Sequence, residues 1–498
     1  MFRKVLIANR GEIAVRVIRA CREMSIPTVA VYSDTDRTAL HVQMADEAVH
    51  LGPSPPLESY LKMESILSAA KQTGAEAIHP GYGFLSENHR FAAICRDAGI
   101  VFIGPSPEAI ELVGDKVASR KALSHIGVPM IPGMESASDD LEIYKREAEM
   151  IGYPVMVKAA AGGGGKGMRV VHDPQTLESA VESGRREAQS AFGDPTVYLE
   201  KCIESPRHIE FQVLADTHGN AIHVFERECS IQRRHQKIVE ETPSTFLDND
   251  LRERMGRSAL DVVHATGYTN AGTVEFLVDG QKQYYFLEVN ARIQVEHPVT
   301  EMVAGIDQVK WQIRIAAGES LTIAQKDLRQ RGHAIECRIY AEDPANSFLP
   351  SLGQIRVLRE PRGPGVRLDS GIFEGCDVSR HYDPVLAKLI CWGDDRESAR
   401  RRMLHALSEY VILGIRTPIP FLRDIMMNSA FIAGNTTTDF ITQHMKGWAQ
   451  SLDPDDLRLA LAAAALCDCD GPVSHAGRSN RTYSTPWQSM GGWRIGSR

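Results

Sequence analysis

Residues 152–171 read GYPVMVKAAAGGGGKGMRVV, and this stretch decides how the rest of the chain is interpreted. Gly152–Lys158 is a largely apolar run that predicts a strand ending in lysine, and Met168–Val171 predicts a second strand. A loop that joins two strands is a hairpin, whereas a P-loop joins a strand to a helix and places Ser or Thr after its lysine. Here Gly167 follows Lys166, so the pattern predicts a glycine-rich hairpin that closes over a ligand.

The chemistry of this hairpin favours phosphate. Glycine lacks a Cβ, so its backbone N–H can approach an anion closely and the loop can move as a lid. Lys158 and Lys166 add positive charge from the strand and from the loop. The alternative is a merely flexible surface hairpin, but it leaves the two lysines and the entropy of four consecutive glycines unexplained.

The first hundred residues alternate short apolar runs with helical periodicity. Val5–Ala8, Thr28–Tyr32, Ala77–His79 and Ile100–Ile103 are the predicted strands. Strands separated by amphipathic helices predict a parallel sheet with crossover helices. The turn after the first strand, Asn9–Gly11, holds one glycine instead of the three of a dinucleotide-binding fingerprint, which excludes that type of site.

The remainder of the chain has a different pattern of predicted strands and helices. Residues 206–300 predict an antiparallel sheet with inserted helices, including a hairpin that turns at Asp279–Gly280. Short strands with Gly and Pro turns follow around Leu349–Gly375, and apolar periodicity predicts a helix over Glu397–Val411. The predicted fold class is therefore α/β and α+β: an N-terminal parallel α/β domain, a central domain with a mobile glycine-rich lid, and a C-terminal mixed or antiparallel β domain with helices.

Polar residues recur with period two in two predicted strands, and Glu275 lies in a third strand, the hairpin neighbour of the second. This spacing puts them on one face of each strand, and the residues concerned are His208, Glu210 and Gln212; Glu275; and Glu288, Asn290 and Arg292. Carboxylate and carboxamide oxygens suit a hard cation such as Mg²⁺, which shares its ligands with substrate phosphates. A solvated outer face is the alternative interpretation.

A basic run, QRRHQK, covers Gln232–Lys237. His235 and Lys237 are two residues apart and can point the same way in a strand, which fits anion binding. By itself the run is equally consistent with a solvated charged face. Aromatic residues are not interleaved with it, so it is not the stripe of a nucleic-acid-binding surface.

Composition narrows the function classes further. The 498 residues carry 56 basic and 64 acidic side chains, a formal charge of −8, which gives no reason to expect nucleic acid or an anionic membrane as a partner. The apolar run Leu459–Cys467 falls far short of the about 20 residues of a membrane-spanning helix. Nine scattered cysteines without a CxxC pair are typical of a reduced, cytoplasmic protein.

Several long strings resemble biotin carboxylases. They are KVLIANRGEIA at 4–14, HPGYGFLSEN at 79–88, CSIQRRHQK at 229–237, RIQVEHPVTE at 292–301 and AIECRIYAED at 334–343. The string YPVMVK at 153–158, with the glycines that follow, resembles the ATP-grasp signature shared by biotin carboxylase and carbamoyl-phosphate synthetase. The resemblance runs from residue 1 to about 445. It implies an N-terminal domain at 1–114, an ATP-grasp domain at 115–330 with a lid at about 130–204, a C-terminal domain at 331–446, and an extension or linker start at 447–498.

The resemblance also implies site residues. For ATP they are Lys116, Lys158, Gly164, Gly165, Lys166, Gly167, Glu200, Lys201, Cys202, Ile203, His208, Gln232, His235, Glu275 and Glu288. For Mg²⁺ or Mn²⁺ they are Glu275, Glu288 and Asn290. For bicarbonate they are Lys237, Arg292, Gln294 and Val295, and for biotin Tyr82 and Arg338. The catalytic set is Glu296, as the base, with Arg292, Arg338 and Lys237.

The implied activity is ATP-dependent carboxylation of carrier-bound biotin through carboxyphosphate, the first half-reaction of an acyl-CoA carboxylase. The sequence contains no Met-Lys-Met biotinylation string, so we expect the chain to act on free biotin or on a separate or truncated carrier. The resemblance implies a biotin carboxyl carrier, a carboxyltransferase partner and a homodimer. Pro364 stands where family members can carry an aromatic residue at the dimer contact. The alternatives are another ATP-grasp ligase, such as a carbamoyl-phosphate synthetase-like enzyme, and a non-catalytic nucleotide-binding subunit.

Overall fold

The computed structural model describes residues 1–134, 137–138, 140–160, 168–450 and 454–469. Gly164, Gly165, Lys166 and Gly167 of the predicted lid lie outside the described residues, as does the side chain of Lys116. The chain divides into two compact units, Met1–Trp448 and Ala449–Arg498.

The first unit begins with a five-stranded parallel sheet in the order β3-β2-β1-β4-β5. Its elements are β1 (Val5–Ile7), α1 (Gly11–Glu23), β2 (Thr28–Ser33), α2 (Leu40–Met44), β3 (Glu47–Gly52), α3 (Met63–Thr73), β4 (Ala77–His79), α4 (His89–Asp97), β5 (Val101–Phe102) and α5 (Pro107–Gly114). Apolar side chains from the strands pack on both faces against the helices. The predicted parallel α/β sheet is confirmed.

A small antiparallel sheet in the order β7-β6-β8 follows. The elements of this segment are α6 (Lys116–Leu123), α7 (Leu141–Ile151), β6 (Val155–Ala159), β7 (Arg169–Val171), α8 (Leu177–Phe192) and β8 (Val197–Lys201). The strands β6 and β7 are the two arms of the predicted glycine-rich hairpin, which confirms the strand–loop–strand pattern.

The largest sheet has eight strands in the order β13-β12-β9-β10-β11-β14-β21-β19, with every pair antiparallel. Its first five strands are β9 (Arg207–Ala215), β10 (Ala221–Arg233), β11 (Gln236–Thr242), β12 (Asn270–Val278) and β13 (Tyr284–Asn290). The helices of this segment are α9 (Asn249–Thr266), α10 (His297–Ala304) and α11 (Gln308–Ala316). The predicted hairpin between β12 and β13 is confirmed, and its turn includes Asp279.

The second half of this sheet comes from the C-terminal part of the unit. The elements there are β14 (His333–Tyr340), β15 (Glu342–Asp343), β16 (Leu349–Pro350), β17 (Gly353–Gln354), β18 (Val357–Arg359), β19 (Val366–Ser370), β20 (Asp377–Val378), β21 (Val385–Gly393), α12 (Arg396–Glu409), β22 (Val411–Leu413), α13 (Ile419–Met427), α14 (Ser429–Ile432) and α15 (Phe440–His444). The pairing of β11 with β14 makes the sheet continuous across residue 330, where the sequence predicted a domain boundary.

The second unit contributes one described helix, α16 (Pro454–Cys469). The region of Trp487 and Trp493, predicted as a linker start, lies outside the described residues. Among the helices that are described, none combines the length and apolar character needed to cross a membrane.

Candidate active site

The strand register places acidic side chains side by side in the large sheet. Glu275 on β12 is paired with Glu210 on β9 and with Glu288 on β13. Directly opposed residues on antiparallel strands have Cβ atoms about 5 Å apart, so their side chains interact. Glu210 is 0% exposed and Glu275 is 4% exposed. These alternating polar residues therefore do not form a solvated outer face.

Lys237 is the cation at the centre of this acidic group. Its Nζ donates to Glu210, to Glu275 Oε1 at 2.8 Å and to Glu296 Oε1 at 2.6 Å. The hairpin between β10 and β11 places it there, because Arg234 and His235 form a tight turn with positive φ (49° and 66°). The turn exposes those two residues and directs the two strands back into the sheet.

The predicted His208 and Gln232 extend the same cluster. Gln232 Nε2 donates to His208 Nδ1 at 2.6 Å, which leaves the protonated Nε2 of His208 to donate to Glu275 Oε2 at 2.9 Å. The imidazole is therefore held between a carboxamide and a carboxylate in one orientation.

Arg338 on β14 closes the cluster on the opposite side. Its Nη2 donates to Glu296 Oε2 at 2.9 Å, and its Nε donates to Glu240 Oε1 at 2.5 Å. Nη1 has only a contact of 3.5 Å with the hydroxyl of Tyr340. Glu296 is 0% exposed and thus lies between two cations, Lys237 and Arg338.

The segment after β13 adds the predicted anion-binding residues. Arg292 donates from Nη1 to Gln294 Oε1 at 2.8 Å and from Nη2 to Asn290 Oδ1 at 3.1 Å. Gln294 Nε2 in turn donates to Glu275 Oε1 at 3.1 Å. Glu87, from the N-terminal sheet region, accepts from Arg292 Nε at 3.0 Å and so ties that region to the site.

We call this connected group the Lys237 network. Its members are joined by the hydrogen bonds given above, and they are His208, Glu210, Gln232, Lys237, Glu275, Asn290, Arg292, Gln294, Glu296 and Arg338. All but Glu210 were predicted as site residues, and they come from six strands and from the segment between β13 and α10.

A second ion-pair group lies at the start of the glycine-rich hairpin. Lys158 Nζ donates to Glu200 Oε2 at 2.7 Å, and Arg120 donates to Glu200 Oε1 at 2.7 Å. Partial desolvation, together with the charges of Lys158 and His208, lowers the pKa of His235. The charges of Lys158, at the start of the hairpin, and of His208, in the Lys237 network, therefore both act on His235.

Electrostatics fixes the charge states within the network. Burial alone would raise the pKa of Glu296, but Lys237 and Arg338 outweigh it and hold that pKa well below its usual value. Lys237 shows the converse, since burial would lower its pKa and the surrounding carboxylates raise it well above 10.5. Glu210 differs, because burial and the charge of Glu296 raise its pKa. The resting site thus holds an ionised Glu296 and a cationic Lys237.

Several predicted residues make hydrogen bonds with groups outside the Lys237 network. Lys201 Nζ donates to the carbonyls of Gly152 and Tyr153, both at 2.9 Å, and so braces the small sheet. Tyr82 donates from its hydroxyl to Glu12. The carbonyl of Val295 accepts from Lys388 Nζ at 2.9 Å. Their assigned ligand roles stay predictions, as do those of Cys202 and Ile203, which follow β8.

The structure adds residues that the sequence did not mark as functional. They are Glu210, Glu240, Glu87, Arg120 and Lys388. A sequence pattern could have marked Glu210 as functional, because it lies two residues after His208 on the same strand face. Glu87 and Glu240 stand inside or beside strings that identify the family. No pattern marks Arg120 or Lys388, whose partners are distant in sequence.

The donor set fits the groups expected here. Glu275, Glu288 and Asn290 offer hard oxygen atoms of the kind that Mg²⁺ prefers. The Nδ2 of Asn290 is buried and has no hydrogen-bond partner among the described residues, so a polar group is left for a ligand to satisfy. His208, Glu210 and Glu275 also hold one ligand atom each within 4.8 Å of one another. The cations Lys158, Lys237 and Arg292 supply the charge that a polyanionic substrate requires.

Comparison with known proteins assigns the family. Three family models match: the biotin carboxylase N-terminal domain over residues 1–110, the ATP-binding domain of the carbamoyl-phosphate synthase L chain over 115–324, and the biotin carboxylase C-terminal domain over 336–443. The biotin carboxylase of Halalkalibacterium halodurans is 54% identical over 446 residues, covering 90% of this chain and 98% of the relative.

Longer relatives and solved structures agree with this assignment. The mitochondrial methylcrotonoyl-CoA carboxylase subunit alpha of Dictyostelium discoideum is 47% identical over 494 residues, which are 99% of this chain and 70% of the relative. The biotin carboxylase domain dimer of Hydrogenobacter thermophilus 2-oxoglutarate carboxylase, solved with MgADP, ADP and bicarbonate, has a TM-score of 0.88 and 50% identity, covering 91% of this chain and all of the domain. The chain belongs to the biotin carboxylase family.

Proposed function

We propose that this chain uses ATP and bicarbonate to carboxylate biotin, and that the Lys237 network is where the reaction occurs. The observation that supports this most directly is the position of Glu296, a buried carboxylate held between the cations Lys237 and Arg338. A base beside an anion-binding cation is what the deprotonation of bicarbonate requires.

Glu296 must gain proton affinity when the substrates enter. In the resting site two cations stabilise its charge and make it a weak base. Bicarbonate and the triphosphate bring negative charge beside it and compete for Lys237, and both effects raise the pKa of a carboxylate. The network thus gives a base whose strength depends on the presence of its substrate.

Deprotonated bicarbonate attacks the γ-phosphorus of ATP in this proposal, and carboxyphosphate and ADP result. Lys158, Lys237 and Arg292 would balance the charge of the phosphates and the bicarbonate. A Mg²⁺ ion held by Glu275, Glu288 and Asn290 would neutralise charge on the phosphate oxygens. The glycine-rich hairpin would limit the access of water to the carboxyphosphate.

Arg338 would act on biotin. The ureido nitrogen is a weak nucleophile until negative charge can develop on the ureido oxygen, and a guanidinium stabilises that charge without changing protonation state. Nη1 is the donor with the weakest protein partner, so we assign it to the ureido oxygen. Tyr82 is proposed as a contact of the bicyclic ring.

The remaining assignments concern assembly. We propose a homodimer that accepts biotin from a separate or C-terminally attached carrier and passes carboxybiotin to a carboxyltransferase. We also propose the domain limits 1–114, 115–330, 331–446 and 447–498. The match to the methylcrotonoyl-CoA carboxylase subunit alpha of Dictyostelium discoideum covers 99% of this chain, which supports treating 447–498 as an extension or the start of a linker domain.

The test is ATP cleavage measured with and without bicarbonate, free biotin and ammonia. We expect cleavage that needs bicarbonate and is stimulated by biotin. Stimulation by ammonia instead would indicate a carbamoyl-phosphate-forming ligase, and nucleotide binding without cleavage would indicate a regulatory subunit.

A further inference from the structure

Two buried carboxylates that the proposed reaction does not use lie behind Arg338. Glu240 on β11 and Glu336 on β14 are directly opposed in the antiparallel register, and both are 0% exposed. Glu336 and Arg338 are two residues apart on β14, so they share a face of the sheet with Glu240. The three side chains therefore form one group.

The hydrogen bonds of this group are incomplete. Glu240 Oε1 accepts from Arg338 Nε at 2.5 Å. Glu240 Oε2 and both oxygens of Glu336 are buried without a hydrogen-bond partner among the described residues. Buried polar atoms in native proteins are normally satisfied, and two adjacent carboxylates cannot both remain charged at little energetic cost.

The surrounding cations do not balance the charge that two ionised carboxylates at Glu240 and Glu336 would carry. The cations that act on the pair are Arg338 and Lys388, which are opposed on β14 and β21, and Lys237. Each of them already has carboxylate partners: Glu296 for Arg338 and Lys237, and Glu12 and Asp369 for Lys388. A second full negative charge on the Glu240–Glu336 pair would have no cation of its own.

We propose that Glu240 and Glu336 hold one proton between them and act as a positioning pair for Arg338, so that its Nη1 stays available to the biotin ureido oxygen. The neutral acid of Glu336 donates to Glu240 Oε2, directly or through a buried water, and Glu240 presents one negative charge to Nε. This proposal rests on the proposed function. Burial and the neighbouring Glu240 raise the pKa of Glu336 well above 4.5, which agrees with a neutral Glu336.

The pair explains how Arg338 can serve two carboxylates and a substrate. A singly charged pair fixes Nε while Glu296 fixes Nη2, and together they set the plane of the guanidinium. A doubly charged pair would draw the guanidinium toward β11 and away from the substrate. Positioning errors of about 1 Å at a reacting group can lower the rate about 100-fold.

The kinetic test compares Glu240→Gln with Glu336→Gln. Gln at 336 mimics a neutral acid and can still donate to Glu240, so turnover with biotin should fall much less in Glu336→Gln than in Glu240→Gln. Gln at 240 removes the charge that holds Nε, so biotin-dependent turnover should fall about 10- to 100-fold, while bicarbonate-dependent ATP cleavage without biotin changes much less. Glu241→Gln is the matched control, because Glu241 is buried on the same strand but pairs with His333 and Arg396. It should leave the ratio of the two rates unchanged.

An infrared measurement tests the proton itself. Buried protonated carboxylic acids absorb in the carbonyl region of the infrared spectrum, and Glu336→Gln should remove one such band from the spectrum of the unmodified protein. Absence of that band, equal damage from both Gln variants, or a parallel fall of both rates in Glu240→Gln would overturn the proposal. If the unmodified protein shows no biotin-dependent cleavage, the proposed function fails, and the infrared result still decides whether the pair holds a proton.

Discussion

The strands β1 and β9 are both buried, yet they serve opposite purposes. In β1 the residues Val5, Leu6 and Ile7 are all apolar and 0% exposed. In β9 all nine residues are buried, but His208, Glu210 and Gln212 alternate with apolar neighbours. Burying a charge is unfavourable unless it is paired and hydrogen-bonded. The polar side chains of β9 are tolerated in the interior because they are paired, and they belong to the site that we propose, whereas the apolar residues of β1 serve packing alone.

The comparison predicts that a substitution in the Lys237 network lowers the reaction rate more than a substitution in β1 does. Glu296→Gln removes the proposed base and should lower biotin carboxylation about 10²- to 10⁴-fold, while the affinity for ATP changes little. Steady-state carboxylation assays and nucleotide titration measure the two quantities. Turnover at the level of the unmodified protein would exclude Glu296 as the base.

Arg338→Ala should give the next largest effect. Biotin carboxylation should fall more than bicarbonate-dependent ATP cleavage, because the proposed role of Arg338 is in the biotin step. Removing one partner of a buried ion pair also destabilises a protein by about 3–5 kcal/mol, so urea unfolding must be measured beside the rates. Arg233→Ala, which breaks the ion pair with Glu342, is the control for lost charge. An equal fall of both rates in Arg338→Ala would count against the assignment.

Leu6→Ala in β1 should lower the stability of the protein without altering its reaction specifically. Loss of this buried side chain should lower the free energy of unfolding by about 2–5 kcal/mol, and the ratio of biotin-dependent to biotin-independent ATP cleavage should not change. Chemical denaturation and the two assays test this. A change in that ratio without loss of stability would show that β1 is not merely scaffold.

The smallest expected effect is on the pH dependence of stability. Burial raises the pKa of Glu12 and of Glu240 to about 7 from 4.5. Their contribution to stability is fully present below pH 4.5 and is lost as the pH rises through about 7. Glu240→Gln should therefore flatten the dependence of the urea midpoint on pH over this interval.

Glu241 provides the contrast for that measurement. Burial alone would raise its pKa, but His333 and Arg396 lower it to about 2. Its contribution is present above pH 4.5 and is lost as the pH falls through about 2. Glu241→Gln should lower stability between pH 4.5 and 7 without changing the slope. The same slope in Glu240→Gln as in the unmodified protein would refute the assignment of the raised pKa to Glu240.

The sequence predicts those features that depend on local pattern. The parallel sheet, the arms of the glycine-rich hairpin and the hairpin at Asp279 follow from periodicity and turn residues, and the register of that hairpin brings Glu275 opposite Glu288. Period two also showed which residues share a strand face, but it could not show that the polar face of β9 is buried.

What the sequence could not predict depends on pairing between distant strands. Glu240 lies beside Arg338 of the Lys237 network because β11 pairs with β14 across the predicted domain boundary. Arg120 and Lys388 find their partners 80 and 93 residues away in the chain. Whether a charged residue is solvated or paired is decided by the tertiary fold, since the same basic run places Arg234 at the surface and Lys237 in the network.

A crystal structure with MgADP and bicarbonate tests the central claim most directly. We predict bicarbonate within hydrogen-bond distance of Lys237 and Arg292, with a carboxylate oxygen of Glu296 facing it and the nucleotide phosphates beside Lys158. An anion bound elsewhere, with the ion pairs of Lys237 unchanged, would contradict the assignment of this buried network as the reaction centre.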